Sequence, residues 1–541
     1  MATDNRFHHR IHVRLHRQRP ALLALAAGLM LIACGGGDDG EFGDPSTVTP
    51  SGVQLESVPL FHRQPVLLAE PGDVDVDGAA RSALADPQPV DVPQELRALS
   101  TQGLTDERVQ AWSDALGAGR ARALAAGTTT VATPTVATAA ATTAATAAAT
   151  AVATIAAAAV VYTPAQIRAA YGLPTAPVTT AGLSPAAAAA LGAGQTIYIV
   201  DAYHHPNAVA DLNHFSQRFG LPTCTAVAAP ASVKPLPAAA ANACEVMVLY
   251  SSAGGSLTAR APAYNAAWAT EIALDMQWAH AIAPLARIVL IEAADNGTGL
   301  LDAIALANRL GPGVVSMSFG AAENPTVLNT GNLFTGNGMS YVAATGDSGA
   351  AANWPAVMPG VLAVSGTSLR LSGTGARSET TWALTGGGLS KVVPLPAYQA
   401  ALNIPGQSAQ AGARRFRSVA DVSFNADPNT GQYFAMTPSG GRTNWYAGGG
   451  TSIAAPQWAG LLAVANAQRA LRTQSPLGQL HTQLYGNFVP AGAAWLQSFN
   501  DITDGRNGAC PGCVASRGYD SPTGLGTPNG AQLLPALNGL R

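Results

Sequence analysis

Short, β-rich apolar runs alternate with helical stretches between residues 196 and 345 of the chain. The apolar runs are 196–201, 246–250, 288–292, 314–319 and 341–345, and helical stretches at 208–219, 265–283 and 300–310 lie between several of them. Strands that alternate with helices form parallel sheets whose two faces are both covered. We therefore expect an α/β fold, with a doubly wound, mostly parallel sheet and helices on both faces.

Charged side chains are scarce. The 541 residues include 29 Lys+Arg and 32 Asp+Glu, which is 11% of the chain at a net charge of −3, whereas an ordinary soluble domain carries about 25%. A nucleic-acid binder needs a basic surface to neutralise phosphates, so we expect no nucleic-acid partner. A carboxylate within an apolar stretch is costly, so each one needs a chemical explanation.

Residues 1–33 have the composition of an export signal. A basic segment that begins at Arg6 is followed by an uncharged stretch from Pro20 to Ala33, too short to span a bilayer. Residues 31–34 (Leu-Ile-Ala-Cys) resemble a bacterial lipobox, which implies that Cys34 becomes a lipidated N-terminus. The alternative is a plain secretory signal with an incidental cysteine. We expect an exported cell-envelope lipoprotein, held at the outer membrane through the lipid on Cys34.

Two segments separate this signal from the α/β region. Residues 34–128 are mixed in composition and form a tether with a helical pattern at 95–125. Residues 129–161 belong to an uncharged Ala/Thr-rich run between Arg122 and Arg168. Because Ala and Thr are only weakly apolar, this run favours a low-complexity linker over the alternative of a membrane span. The folded domain is then expected at 162–541.

Four cysteines remain besides Cys34, namely Cys224, Cys244, Cys510 and Cys513. An even number in an oxidising compartment predicts two disulfides. Sequence order suggests Cys224–Cys244 and Cys510–Cys513, although four cysteines allow three pairings. The Cys-Pro-Gly-Cys spacing is also found in zinc half-sites and redox motifs, but a second close pair or a nearby histidine is lacking.

Two carboxylates stand alone within an apolar helical stretch. Glu271 and Asp275 are the only charged residues between Arg260 and Arg287. Their spacing of four places them on one face of a helix, where like charges repel. Such a pair is typical of coupled carboxyls that share a proton, so that one can act as a base. The alternative is a solvated pair on an outer helix face.

A candidate nucleophile follows a run of glycines. Residues 448–452 (Gly-Gly-Gly-Thr-Ser) precede a long apolar helical stretch that runs toward Arg472. At such a helix start, Ser452 would expose its hydroxyl and aim its own N–H at a developing oxyanion. The alternative is that Ser452 only caps the helix.

Together these motifs resemble the sedolisins, the serine-carboxyl peptidases with a subtilisin-like fold. The resemblance extends from Tyr162 to Pro528. Its motifs, in chain order, are 162–166 (Tyr-Thr-Pro-Ala-Gln), Glu271-x-x-x-Asp275, 315–318 (Val-Ser-Met-Ser), 346–349 (Gly-Asp-Ser-Gly), 421–423 (Asp-Val-Ser), Gly450-Thr451-Ser452-x-x-x-Pro456 and 519–526 (Tyr-Asp-x-x-Thr-Gly-Leu-Gly).

The resemblance implies a role for each matching residue. Ser452 would be the nucleophile that forms an acyl-enzyme, and Glu271 would be its general base, with Asp275 hydrogen-bonded behind it. Asp347 would be protonated and would donate to the oxyanion together with the Ser452 N–H. We therefore expect a monomeric serine endopeptidase that acts on proteins or peptides at acidic pH.

The resemblance also implies one structural calcium ion near the C-terminus. Asp501 and Asp520 would supply carboxylates, and the backbone carbonyls of Ile502, Ser516 and Gly518 would complete an oxygen cage. Relatives usually have glycine where this chain has Ser516, but the ligand there is a backbone oxygen. The alternative is an acidic turn without an ion.

Two other peptidase classes fit less well. Residues 346–350 superficially resemble a trypsin-type nucleophile loop, but that fold is all-β and its histidine motif is missing. A histidine-dependent subtilisin would use Asp201, at the end of the first strand. His280 lies nine residues past Glu271, on the opposite side of the helix, and His204 and His205 follow Asp201 without a partner motif. A different possibility is an inactive lipoprotein that uses the peptidase fold for binding.

Sedolisins usually carry a long prosegment, whereas residues 34–128 provide only a short one. The family's pattern places the mature start at Tyr162. A cut near Val161–Tyr162 would leave Cys34 and its lipid behind and release a soluble catalytic domain.

Overall fold

The computed structural model describes residues 49–61, 65–68, 70–71, 160–177, 179–372, 376–408, 410, 412–488 and 492–540. The signal, Cys34, the helical pattern at 95–125 and the Ala/Thr-rich run up to residue 159 lie outside these ranges. Within them, no helix combines the length and the apolar character needed to cross a bilayer.

Strands and helices are numbered in chain order. The strands are β1 (Val58–Pro59), β2 (Val66–Leu68), β3 (Val160–Tyr162), β4 (Thr196–Ala202), β5 (Cys224–Ala226), β6 (Cys244–Ser252), β7 (Ser256–Thr258), β8 (Arg287–Ala293), β9 (Gly313–Met317), β10 (Phe319–Ala322), β11 (Met339–Ala344), β12 (Asn353–Trp354), β13 (Val361–Leu371), β14 (Arg377–Thr381), β15 (Gly388–Pro394), β16 (Phe416–Val419), β17 (Val422–Asn425), β18 (Thr430–Met436), β19 (Asn444–Gly448), β20 (Phe499–Asn500) and β21 (Thr527–Pro528). The α-helices are α1 (Pro164–Ala170), α2 (Pro185–Ala189), α3 (Ala208–Arg218), α4 (Ala266–Ile282), α5 (Thr298–Leu310), α6 (Thr451–Ala470), α7 (His481–Asn487), α8 (Ala493–Ser498) and α9 (Gly530–Asn538). Short 3₁₀ turns occupy Ala253–Gly255, Pro325–Phe334, Ala397–Gln399 and Pro511–Cys513.

A ten-stranded sheet forms the centre of the molecule. Its main path has the order β14-β13-β11-β9-β4-β8-β6-β5, with β17 beside β13 and β7 beside β6. From β13 to β5 every neighbouring pair is parallel, whereas β14 and β7 are antiparallel to their partners. The expectation of a mostly parallel sheet is confirmed.

Alternate residues of the central strands belong to different halves of the core. In β4, Ile197 and Ile199 pack in the cluster that contains α4 and α6. Tyr198 and Val200 pack in the cluster that contains α5. Because successive strand side chains point to opposite faces, this division shows that helices cover both faces of the sheet, as expected.

Between residues 196 and 345, the predicted strands and helices are all present, with one difference. The expected strand at 314–319 is divided into β9 and β10 at Ser318. The carbonyl of Ser318 accepts hydrogen bonds from the Leu60 N–H at 3.0 Å and the Ser452 hydroxyl at 3.1 Å. The chain then turns, so that β10 pairs with β1 and β12 instead of the central sheet.

Parts of the expected tether and linker belong to the folded body. β1 lies on β10, and β2 extends a four-stranded sheet with the order β2-β19-β18-β3. β3 begins at Val160, so the folded region starts slightly before the expected boundary at Tyr162. Residues assigned from sequence to the tether therefore lie against the α/β domain.

Both expected disulfides are present. Cys224 and Cys244 are paired across β5 and β6, with Cα atoms 4.5 Å apart. Cys510 and Cys513 form the second disulfide, within a loop that carries a short 3₁₀ turn.

Candidate active site

Helix α4 carries the two predicted carboxylates. It begins after Asn265, whose side chain accepts hydrogen bonds from the Ala267 and Trp268 N–H groups at 3.1 and 3.2 Å. Glu271 and Asp275 are completely buried. The alternative of a solvated pair on an outer helix face is therefore wrong.

Asp201 joins this pair to form a cluster of three buried carboxyls. Burial is the main reason why the pKa of each is raised well above its usual range. The charges of Asp275 and Asp201 raise the pKa of Glu271 further, and Asp275 and Glu292 do the same to Asp201. Among the described residues, none donates a hydrogen bond of ordinary geometry to these three carboxyls, although the Ser452 hydroxyl is close enough to lower the pKa of Glu271. The cluster can therefore hold protons at a pH where exposed carboxyls are ionised.

Ser452 lies in the first turn of α6, next to this cluster. The N-cap of the helix is Gly450, at a φ of 106°, in the left-handed region that favours glycine. The Ser452 hydroxyl donates to the Ser318 carbonyl at 3.1 Å, and the Ser318 hydroxyl donates to the Ser452 carbonyl at the same distance. The alternative that Ser452 is merely a helix cap is therefore wrong, because its hydroxyl faces the carboxyl cluster and Ser318.

Asp347 connects the loop after β11 to the start of α6. Its Oδ1 accepts from the N–H and the hydroxyl of Thr451, both at 2.8 Å. Thr451 Oγ1 in turn accepts from the Gly346 N–H at 3.0 Å. A Cβ added at Gly450 would contact Asp347 Oδ2. Asp347 thus lies beside the Ser452 N–H, and the structure brings all four predicted residues to one site.

A segment from the N-terminal part of the chain occupies the cleft beside Ser452. The Ser452 N–H donates to the Leu60 carbonyl at 3.1 Å, and the Leu60 N–H donates to the Ser318 carbonyl at 3.0 Å. Sequence reasoning did not identify Leu60 or Ser318 as site residues. The apolar run Val58–Phe61 within a mixed segment is the only sequence signal that could have pointed to Leu60.

The histidines considered for a triad lie elsewhere. His204 pairs with Glu292 at 2.6 Å, which raises the pKa of its imidazole. His205 pairs with Asp211 at 2.9 Å. His280 donates to a backbone carbonyl at 2.8 Å, and burial lowers its pKa to about 4. None of the three contacts Ser452, and Asp201 lies with the carboxyls of α4 instead of with a histidine.

The predicted calcium ligands meet in one loop near the C-terminus. Asp501 accepts from the Gly518 N–H at 3.1 Å, and Asp520 accepts from the Ser516 N–H at 2.9 Å. Burial raises the pKa of Asp520 to about 7, and the charge of Asp501 contributes to this rise. Ile502 is buried next to Asp501. Two neighbouring carboxylates that repel each other fit a hard divalent cation.

The chain is similar in sequence to several known proteins, although no protein-family model matches it. Kumamolisin from Bacillus sp. (strain MN-32) is 36% identical over 299 residues, which cover 49% of this chain and 50% of that protein. Tripeptidyl-peptidase 1 from Canis lupus familiaris is 30% identical over 228 residues, 37% of each protein. Sedolisin from Pseudomonas sp. (strain 101) is 28% identical over 279 residues, 45% of this chain and 44% of that protein. The chain thus spans half or less of the length of these curated relatives.

The fold is similar to a solved structure. Pseudomonas sedolisin, a serine-carboxyl proteinase complexed with two molecules of pseudo-iodotyrostatin, matches with a TM-score of 0.53 at 22% identity. The match covers 70% of this chain and 98% of that chain. At this identity the similarity supports the fold assignment.

Proposed function

Because the chain is homologous to the sedolisins, we propose that it is a serine-carboxyl endopeptidase that cleaves proteins or peptides through an acyl-enzyme on Ser452. One observation carries this proposal. The hydroxyl of Ser452 lies beside the buried carboxyl of Glu271, while its N–H donates to a peptide carbonyl at 3.1 Å. The proposed nucleophile, Ser452, therefore lies next to both the proposed base, Glu271, and a bound peptide group.

Acylation uses the carboxyl cluster as the base. Ser452 Oγ attacks the substrate carbonyl carbon and passes its proton to ionised Glu271. Glu271 then protonates the leaving amine, as a general acid. Asp275, one helical turn further along α4, orients Glu271 and shares its charge. In deacylation, water attacks the ester carbon and passes a proton to Glu271. Glu271 then returns the proton to Ser452 Oγ as the acyl group leaves.

The oxyanion forms at the N-terminus of α6. The Ser452 N–H supplies one donor there. Asp347 supplies a second donor through a protonated Oδ2, since its Oδ1 is held as an acceptor by Thr451. A donor aimed at the developing charge stabilises the transition state more than the ground state.

The alternative of an inactive binding lipoprotein is not favoured. The homologues are peptidases, and the four side chains assigned to the chemistry lie together.

Activity is expected to peak at acidic pH. The rate should rise as the carboxyl cluster loses the proton that blocks Glu271, and it should fall again as Asp347 loses the proton it donates. The test is kcat/KM for casein or haemoglobin digestion across the pH range, with circular dichroism at each pH to verify folding. A maximum above pH 7 in folded protein would contradict the proposal.

We further propose that one calcium ion, held by Asp501, Asp520 and the carbonyls of Ile502, Ser516 and Gly518, stabilises the C-terminal loop. Calcium bound only by the folded state raises its stability. Chelation with EGTA should lower the midpoint of thermal unfolding by roughly 5 °C, and added calcium should restore it. Asp520→Asn should abolish this response. Asp504→Asn, at an exposed carboxylate of the same loop, should keep it, and equal responses in the two variants would argue against the site.

Export as a lipoprotein completes the proposal. It rests on the signal-like residues 1–33 and on Cys34, which lie outside the described ranges. Two disulfides agree with an oxidising compartment. Mass spectrometry of the membrane fraction would detect the diacylglycerol-modified Cys34, and an unmodified Cys34 there would overturn the anchor.

A further inference from the structure

The segment in the cleft is bound as an additional strand. β1 pairs antiparallel with β10, with Val58 opposite Gly320 and Pro59 opposite Phe319. Upstream, the Ser57 N–H donates to the Asn296 carbonyl at 2.8 Å. Extended peptides commonly bind to a sheet edge in this way, with backbone hydrogen bonds for affinity and pockets for alternate side chains.

This strand stops at the nucleophile. The Leu60 N–H donates to the Ser318 carbonyl at 3.0 Å, and the Leu60 carbonyl accepts from the Ser452 N–H at 3.1 Å. A Cβ built on Gly450 would lie 2.5 Å from the Leu60 oxygen and 2.7 Å from the Phe61 Cα, and would contact Asp347 Oδ2. The Leu60 carbonyl thus occupies the place where the oxyanion would form, and the Leu60–Phe61 peptide bond lies beside Ser452.

The side chains of the segment differ in burial. Leu60 is 8% exposed and Ser57 is fully buried, whereas Val58 is 54% exposed. Leu60 packs against Gly320, since a Cβ on that glycine would lie 2.9 Å from Leu60 Cδ1. The pocket for the residue before the scissile bond therefore accepts a leucine-sized apolar side chain because position 320 has no side chain.

We propose that the Leu60–Phe61 bond is the peptidase's own first cleavage site, and that Gly320 makes the enzyme prefer a large aliphatic residue immediately before the cut. The inference rests on the proposed function, because it requires Ser452 to be a nucleophile. It adds a processing site and a substrate class to that function.

The cleavage is an intramolecular hydrolysis. Ser452 Oγ bonds to the Leu60 carbonyl carbon, and its proton moves to Glu271. The bond to the Phe61 nitrogen then breaks, and that nitrogen takes the proton from Glu271. Water hydrolyses the resulting ester, which leaves a carboxylate on Leu60 and a free amine on Phe61 and restores Ser452.

The other candidate cleavage site is protected by the fold. Val161 and Tyr162 are buried in β3, which pairs with β18. The Tyr162 hydroxyl also donates to the Leu369 carbonyl at 3.1 Å. A peptidase cannot bind the Val161–Tyr162 bond as an extended strand unless β3 first separates from its sheet. The Leu60–Phe61 bond is already in the cleft.

The test follows the full-length precursor after transfer from neutral to acidic pH, by N-terminal sequencing and intact mass. The wild type should show Phe61 as its first new N-terminus, at a rate unchanged by tenfold dilution, and Ser452→Ala should show none. Leu60→Asp should slow this cut roughly 100-fold, because a carboxylate does not fit the apolar pocket. Val58→Asp is the matched control, because the Val58 side chain is exposed. In this variant the Leu60–Phe61 bond should be cut within about twofold of the wild-type rate.

Specificity is measured with two peptides that carry the sequence of residues 54–61, one with its leucine and one with alanine in its place. The wild type should prefer the leucine peptide about tenfold or more, and Gly320→Val should reverse this preference. An enzyme that digests both peptides or casein while its own Leu60–Phe61 bond stays intact would overturn the inference and leave the proposed function standing. Absence of both self-cleavage and digestion would overturn the proposed function itself.

Discussion

Ser452→Ala is expected to lower kcat/KM for casein at acidic pH by roughly 10⁵- to 10⁶-fold. The substitution removes the only atom that forms a bond to the substrate and leaves the oxyanion donors, the Ser452-position N–H and Asp347, in place. A small residual rate above the uncatalysed reaction should therefore persist. The measurement is initial-rate kinetics on protein purified in the uncut form.

Loss of activity must be distinguished from loss of fold. Ser365 in β13 is also completely buried, and its hydroxyl lacks a hydrogen-bond partner among the described residues. Ser365→Ala makes the same chemical change away from the carboxyl cluster and should keep activity within about twofold. Equal activity in Ser452→Ala and wild type would end the nucleophile assignment.

Glu271→Gln should lower kcat/KM by about 10⁴-fold or more. Glutamine has nearly the shape of glutamate but cannot take the proton from Ser452. The same substitution at Glu245, a partly exposed residue paired with Arg287 at 3.6 Å, should change activity less than twofold. A comparable loss in both variants would show that the effect does not come from the general base.

The same variant should be more stable than wild type, with a defined pH dependence. Burial raises the pKa of Glu271 well above its usual 4.5, so the folded state holds a proton that the unfolded state has released. The contribution of Glu271 to the stability of the wild type therefore falls as pH rises above about 4.5. Glu271→Gln does not lose stability in this way, because glutamine does not ionise. Its unfolding midpoint should match wild type below about pH 4 and exceed it increasingly at higher pH. A variant less stable at pH 7 would contradict this account.

The sequence was sufficient to predict the elements that carry the proposed chemistry. β4, α4 and α6 were expected from local patterns, and the Glu271, Asp275, Asp347 and Ser452 motifs were each recognisable within a few residues. Their assembly into one site required only the expected fold, since all lie at the ends of strands or on helices that cover the sheet.

Contacts between distant segments could not be predicted in this way. The placement of Leu60 beside Ser452 depends on a two-residue strand, β1. Its apolar run is too short to predict a strand, and it gains its conformation from pairing with β10. The division between β9 and β10 at Ser318 also depends on distant segments, because the Ser318 carbonyl accepts hydrogen bonds from both the Leu60 N–H and the Ser452 hydroxyl. Asp201 was visible as a strand end, but its partnership with Glu271 and Asp275 depends on how α4 packs on β4.

The disulfide between β5 and β6 has a consequence for the proposed peptidase activity. β5 is the last strand on the main path of the central sheet, and edge strands are the segments that detach most readily. A detached strand is an extended peptide, which is the form that the cleft beside Ser452 binds. Because Cys224 is covalently joined to Cys244, β5 cannot leave β6 when the edge opens transiently. If the chain has the proposed activity, the cross-link protects this edge from self-digestion.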